Sequence, residues 1–482
     1  MKTTLPTTRA LAWGACSLLA SGVVAQTPVP TPKAPPASAG IINDRLRGLD
    51  PAAAAWDLGV QFRVRYESRN GGAVAGTGPA SVDFNDLTQP ENYWLLRERV
   101  HVGYRPADWI GLFAEGRDSS AHGDRRAPGP EADSFDLHQA YVTLGAPARF
   151  PVTAKIGRQE LSYGDERLIG AFDWNNLGRV FDAAKLRFEN DALWVDAFSG
   201  RVVLANDGSF NVANDYDWFS GVYASSRKLV PHQDSQLYLL SRNTASGSPT
   251  ATSGSPQAGG PTARDIYTLG VRFKSTPGEL GGWDYDGDFA GQLGRVYDAK
   301  LGKSLDHQAF AAHLAGGYTW KDAPLSPRAG LEYDFSTGDS NASDGKHGTF
   351  ENLFPTNHRF YGFMDFVSWQ NMHDVRLATS AKPTKALTLT ADAHLFWLAD
   401  THDYFYAASG APRKTGGYGI QPGNSPFVGS EIDVIATYAI RPWATFQGGY
   451  GHFFRGDYVR QALAASGSKD ADWFYAQLTL GF

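Results

Sequence analysis

The 482-residue chain has a single cysteine, Cys16, and three methionines. Cys16 sits in the opening "MKTTLPTTRALAWGACSLLASGVVAQ", where Lys2 and Arg9 precede an apolar stretch from Leu11 to Val24 and small Ala25 follows. That pattern is a secretory signal peptide, assigned to residues 1–25. Its removal takes away the only thiol, which excludes disulfides, cysteine metal sites and a cysteine nucleophile. No later segment approaches the roughly 18 consecutive apolar residues that a membrane helix needs. A basic excess is missing as well. With Lys2 and Arg9 discounted from 44 basic residues, the 50 acidic residues dominate, which argues against a nucleic-acid partner.

Residues 26–55 open with "QTPVPTPKAPPASAG" (26–40), which is too poor in apolar side chains to build a core, and they are expected to form a Pro/Ala-rich periplasmic tether. The folded part is expected to span residues 56–482. It is rich in period-two alternation. In "GVQFRVRYES" (59–68), Val60, Phe62, Val64 and Tyr66 alternate with Gln61, Arg63, Arg65 and Glu67, so one strand face is apolar and the other charged. Similar patterns recur at 94–104, 266–273, 283–293, 328–335, 387–397, 431–440 and 474–482. Two architectures produce them: a soluble sandwich or barrel, apolar inside, and a transmembrane barrel, apolar outside.

Loop lengths separate the two. Short connections at 105–109, 189–191, 321–327, 381–386 and 441–443 are interleaved with long ones at 69–91, 119–134, 161–178, 244–263, 337–370, 399–427 and 456–470. Short periplasmic turns on one rim and long extracellular loops on the other belong to outer-membrane barrels. Trp56, Trp109, Trp194, Trp283, Trp320 and Trp443 cluster at the short turns, as an interfacial aromatic girdle would. The expectation is therefore an all-β, antiparallel transmembrane barrel of about 18 strands in the cell outer membrane. It would be embedded in lipid and monomeric. Its last strand, ending at Phe482, resembles the signal read by the barrel-assembly machinery.

In that barrel the charged phase lines the lumen. The basic pore-lining candidates from the strands are Arg63, Arg65, Arg97, Arg99, Arg272 and Lys274; the acidic ones are Glu67, Asp284, Asp286, Asp288, Glu332, Asp334, Glu431 and Asp433. Glu98 falls in the lipid-facing phase. Arginine rings build anion-selective pores, and the acidic set gives the lumen mixed sign.

Four blocks, 93–106, 136–142, 156–188 ("IGRQELSYGDERLIGAFDWNNLGRVFDAAKLRF") and 349–365 ("TFENLFPTNHRFYGFMD"), resemble the alginate-export family of outer-membrane porins. The resemblance implies an eighteen-stranded barrel with an arginine-rich constriction that passes a polyanion. It adds Arg158, Lys185 and Arg187 to Arg97 and Arg99 as constriction candidates. Arg158 is in phase with Ile156 rather than Lys155, so a bulge or the rim would have to turn it inward. The function expected is diffusion of a hydrophilic, anionic solute, an alginate-like polysaccharide or smaller organic anion or sugar. The alternatives are a barrel hydrolase using His307, His313, His373 or His394, for which no nucleophile motif stands out, and a non-conducting surface adhesin. No cofactor is expected. "DYDGD" (284–288) and "TGDSNASDGKHG" (337–348) offer oxygen ligands for Ca²⁺ without the spacing of a known calcium loop. "FENLFPTNH" is too apolar for a free loop and is expected to fold into the pore, with His358 as a hydrogen-bonding core residue.

Overall fold

The computed structural model describes residues 40–71, 84, 91–124, 131–245, 263–298, 301–414, 416–465 and 467–482. The signal peptide and residues 26–39 of the expected tether lie outside the described residues. The rest of that tether is not extended: Ile41–Leu49 form helix α1 and Pro51–Ala55 a 3-10 turn. Proline is absent from "IINDRLRGL", and Asp50 caps the turn by accepting from the Ala52 N–H at 2.8 Å. Asn43 ties α1 to the first strand, donating to Asp57 at 2.7 Å and accepting from the Leu58 N–H at 2.8 Å.

The strands are β1 (Trp56–Asn70), β2 (Glu91–Ala107), β3 (Ile110–His122), β4 (Asp133–Leu144), β5 (Val152–Gln159), β6 (Phe181–Glu189), β7 (Trp194–Leu204), β8 (Val212–Ser226), β9 (Gln233–Thr244), β10 (Arg264–Ser275), β11 (Trp283–Asp298), β12 (Lys303–Thr319), β13 (Arg328–Ser336), β14 (Lys346–His347), β15 (Met372–Ala381), β16 (Leu387–Leu398), β17 (Phe427–Arg441), β18 (Ala444–Arg455) and β19 (Ala471–Gly481). Strand β14 is a two-residue piece paired in parallel with Asp306 and His307. The other eighteen form one antiparallel sheet that closes where β1 meets β19, with Gln61 opposite Gly481 and Arg63 opposite Thr479. Val60 and Phe482 exchange backbone hydrogen bonds at 3.1 and 2.9 Å. Closure pairs the strand edges, as hydrocarbon requires.

The faces of the opening strand are now assigned. Phe62 and Val64 are each 37% exposed on the outside, while Arg63 is 3% and Arg65 0% exposed on the lumen side. Outer aromatics gather at both rims: Trp56 stacks on Tyr104 (4.3 Å), Trp443 on Phe482 (5.5 Å) and, at the opposite rim, Trp94 packs against Tyr66 (5.0 Å). Trp194 does not join them. It shares the phase of Asp196 and Phe198 and stacks on Tyr223 (5.9 Å) inside the wall. The short rim also holds turns 145–151, 227–232 and 276–282, and the long rim has a brief connection at 205–211.

Loops 160–180 and 337–371 fold inward and join each other. The Gly170 N–H donates to Phe354 O, and the Phe354 N–H to Leu168 O, both at 2.9 Å. Phe354 meets the lumen-facing rings of Phe181 (5.2 Å) and Phe219 (4.9 Å) edge-on, and Phe350, Leu353, Tyr361, Phe366 and Trp369 are buried around it. The expectation that this loop packs inside the barrel agrees with these contacts. Glu166, Phe172, Leu353, Asp365 and Asn371 adopt positive φ, a cost that non-glycine residues bear only where surroundings fix the chain.

Candidate functional site

In β1 and β2, Arg63 lies directly opposite Arg97, and Arg99 pairs across with Arg117 of β3. Like charges opposed in a sheet repel, so the cluster requires anions and carbonyls aimed at it. Loop 160–180 supplies both. Arg63 donates to the carbonyls of Asp173 (2.7 Å) and Asn175 (3.1 Å). The Asp173 carboxylate bridges Arg97 (2.9 Å) and Arg99 (3.1 Å). Arg65 lies over the Trp174 ring at 3.9 Å and pairs with Glu67 at 2.8 Å. Arg117 donates to Leu177 O (2.5 Å) and pairs with Asp133.

The ionisation of the loop carboxyls follows from this field. Partial desolvation in the lumen would raise the Asp173 carboxyl, but Arg97, Arg99 and Arg63 outweigh it and hold it at about 2. Glu160, beside Arg99 at 3.7 Å, goes the other way: desolvation exceeds the pull of Arg99 and pushes it up to about 7.

The remaining sequence-derived candidates are spread around the wall. Lys185 (3.5 Å) and Arg187 (2.6 Å) meet Asp196. Arg272 (2.5 Å) and Lys274 (3.4 Å) meet Asp286. Asp284 pairs with Arg328 (2.6 Å), Glu332 with Arg376 (3.1 Å), and Asp288 accepts from the Tyr238 hydroxyl (2.6 Å). Glu431 and Asp433 accept the N–H groups of Met364 (2.8 Å) and Phe363 (3.3 Å), anchoring the inner loop. Glu98 is outward, opposite Asp118; nothing in the structure explains that pair.

Arg158 is a correction. The β5–β6 register runs without a shift from Lys155 opposite Lys185 to Arg158 opposite Asp182, so Arg158 shares the outer face with Ile156 and Asp182. No bulge turns it inward. It pairs with Asp182 at 2.8 Å, with the Phe210 ring 5.3 Å away.

Among the described residues, two three-residue groups of metal-ligand type converge in the lumen, Asp165–Asp286–His313 and His313–Glu332–Asp334. The Arg167 guanidinium already stands between them, on Asp165 (3.0 Å), Asp334 (2.9 Å) and His313 (3.3 Å). Sequence reasoning missed Asp173, Arg167 and Glu351, because strand phase says nothing about loops. The signal was the charge set within the apolar stretches "RLIGAFDWNNLGR" and "FENLF". Glu351 pairs with Arg242 (2.8 Å) and Arg264 (2.6 Å) across the lumen.

Below the inner loops, at the short-turn rim, lies a cavity of about 580 Å³. Turn residues Gly281, Gly282 and Lys321 border it on one side and Arg359, Phe360 and Phe363 on the other.

The fold is shared with known structures at low identity. Pseudomonas aeruginosa OccD3 (OpdP) is 16% identical with a TM-score of 0.55, covering 89% of this chain and 91% of that one. Acinetobacter baumannii OccAB1 is 12% identical with a TM-score of 0.56 (88% and 96% covered), and the outer membrane protein OpdK of Pseudomonas aeruginosa 13% identical with a TM-score of 0.54 (88% and 99%). No curated protein matches the chain. The alginate export family matches residues 55–470. A closed eighteen-stranded wall with its apolar face outward and its charges inside thus coincides with that match over most of the sequence: the chain belongs to the alginate export family and is a non-enzymatic, solute-passing channel of the outer membrane.

Proposed function

We propose that the channel conducts hydrophilic organic anions, carboxylated sugars or an alginate-like polymer, by diffusion past the arginines of β1 and β2. The observation that carries this reading is the Asp173 side chain, 61% exposed although it bridges Arg97 and Arg99. A loop-borne carboxylate at that point is an internal stand-in for a solute carboxylate. The planar guanidinium forks match such a group, and its exposure leaves room for exchange. Among the described residues Arg63 has only carbonyl and amide oxygens as hydrogen-bond partners, so the cluster carries more positive than negative charge around Asp173. One chain closes the sheet by itself, which supports a barrel that works as a monomer.

Asp173→Asn is expected to shift the reversal potential of the purified channel in a salt gradient toward anion selectivity, and Arg97→Glu with Arg99→Glu toward cations. Unchanged potentials with conductance intact would make these arginines loop anchors alone.

Glu160 adds a pH dependence. Its carboxyl is largely neutral below about pH 7 and charged above it, so acidification across that value leaves the arginine cluster more positive. Anion selectivity is expected to rise as pH falls through 7, and Glu160→Gln to flatten the response. A wild-type profile that is flat across this range contradicts the assignment.

A further inference from the structure

The cavity at the short-turn rim has a wall of charges that are nearly all matched. Asp284 holds Arg328 (2.6 Å), Arg376 bridges Glu332 (3.1 Å) and Asp392 (2.6 Å), and Lys274 meets Asp286 (3.4 Å). Arg359 and Lys321 are the exceptions. Among the described residues neither cation forms an ion pair or a side-chain hydrogen bond; Lys321 sits on the turn side of the cavity, and Arg359, on the loop side, has the Phe360 ring 5.7 Å away.

Arg359 is mounted on a fixed base. It ends the 3-10 turn Asn357–Arg359. The preceding Thr356 hydroxyl donates to Glu166 (2.7 Å), and the Asn357 amide donates to Ala408 O (2.6 Å). His358 contacts Asp365 (3.0 Å) and stacks on Trp174 at 3.9 Å. The turn therefore sets where the Arg359 side chain starts, and the exposed guanidinium projects into a cavity it borders.

The chemistry of an occupant follows from what is left unmatched. The Arg359 fork accepts one carboxylate, and the Lys321 ammonium on the turn side adds to the pull on an anion without a fork's geometry. The carboxylates of the wall are neutralised by their arginines yet keep oxygen lone pairs, which accept hydroxyl donors. The half-buried Phe363 offers apolar surface for the C–H face of a ring. A neutral sugar would leave Arg359 unmatched, and a fatty acid would leave the polar wall unmatched. The volume is that of a small-molecule site. We infer that Arg359 and this cavity bind a single hydroxylated monocarboxylate of sugar-acid size, as a periplasmic-side station in series with the arginine cluster above it. The inference rests on the anion-channel reading and gives it a second, separable site.

The test is current block of the purified channel in a planar bilayer, with glucuronate or glucose added on the short-turn side. Wild type is expected to show saturable glucuronate block and far weaker glucose block. Arg359→Gln should weaken glucuronate block about tenfold or more, and Arg359→Lys should retain part of it. Equal block by the two sugars in wild type, or glucuronate block undiminished in Arg359→Gln, overturns the site. Asp173→Asn separates the two readings: it should move the reversal potential while leaving glucuronate block in place. No shift there, with block still dependent on Arg359, would overturn the arginine-cluster reading and leave this site standing.

Discussion

Val434→Arg is expected to lower the stability of the folded barrel by about 2–4 kcal/mol, whereas Thr437→Arg, three residues further along the same strand, should cost much less. Both lie in β17. Val434 is 49% exposed on the outer face, midway along the strand, and flanked by outward Ile432. Thr437 faces the lumen, where its hydroxyl accepts a single hydrogen bond from Gln447 at 3.1 Å. An arginine at Val434 must leave its guanidinium in hydrocarbon or reach for the interface, while one at Thr437 extends into a polar interior already carrying Asp433 and Glu431. Urea unfolding of protein refolded into lipid vesicles measures the difference. Equal losses at the two positions would mean that lipid does not contact the outer face.

The wall was legible in the sequence because a strand face is a period-two code, and a barrel with lipid outside and charge inside writes that code in nearly every strand. Arg63, Arg97 and Arg272 could be placed on the lumen side from alternation alone. The same code placed Arg158 on the outside, and only the resemblance to a porin family argued otherwise; the uninterrupted β5–β6 register sided with phase. Helix α1 was hidden by its neighbours, since the proline run before it suggested one continuous tether. The site itself was half legible. The arginines are wall residues and followed the code, but their partners Asp173, Asn175 and Trp174 sit on a loop. Their positions depend on long-range contacts, such as Arg63 with Asp173 across 110 residues, that no local pattern encodes. Only the apolar weight of "FENLF" announced that a loop would turn inward, because side chains of that kind gain by leaving water wherever a surface is offered.

Replacing residues 349–369 with a short Gly-Ser linker is expected to raise single-channel conductance severalfold while the barrel stays closed. The cut is geometrically mild. Thr337 O accepts from the Phe350 N–H at 3.0 Å and from the Asn371 N–H at 3.3 Å, so the two ends of the excised segment already meet at one residue. What leaves the lumen is the apolar cluster of Phe350, Leu353, Phe354, Phe366 and Trp369, together with Glu351, Arg359 and Asp365. The arginines that lose partners are not stranded in a dry core. Arg242 keeps Asp217 at 2.7 Å, and water entering the vacated lumen solvates Arg264 and Arg179. An unpartnered charge is costly where it stays desolvated, and flooding removes that condition. Closure does not depend on the loop either, because β13 pairs directly with β15 through nine residues from Arg328 opposite Ser380 to Ser336 opposite Met372. Heat-modifiable gel migration reports the folded wall and planar-bilayer recording the current. Folded protein with unchanged conductance would place the conducting path elsewhere than beside this loop. Loss of folding would instead mean that the buried loop serves as a core on which the wall is built. The excised channel should also lose the glucuronate block assigned to Arg359 but keep the reversal-potential response to Arg97→Glu with Arg99→Glu, since loop 160–180 and its Asp173 remain in place.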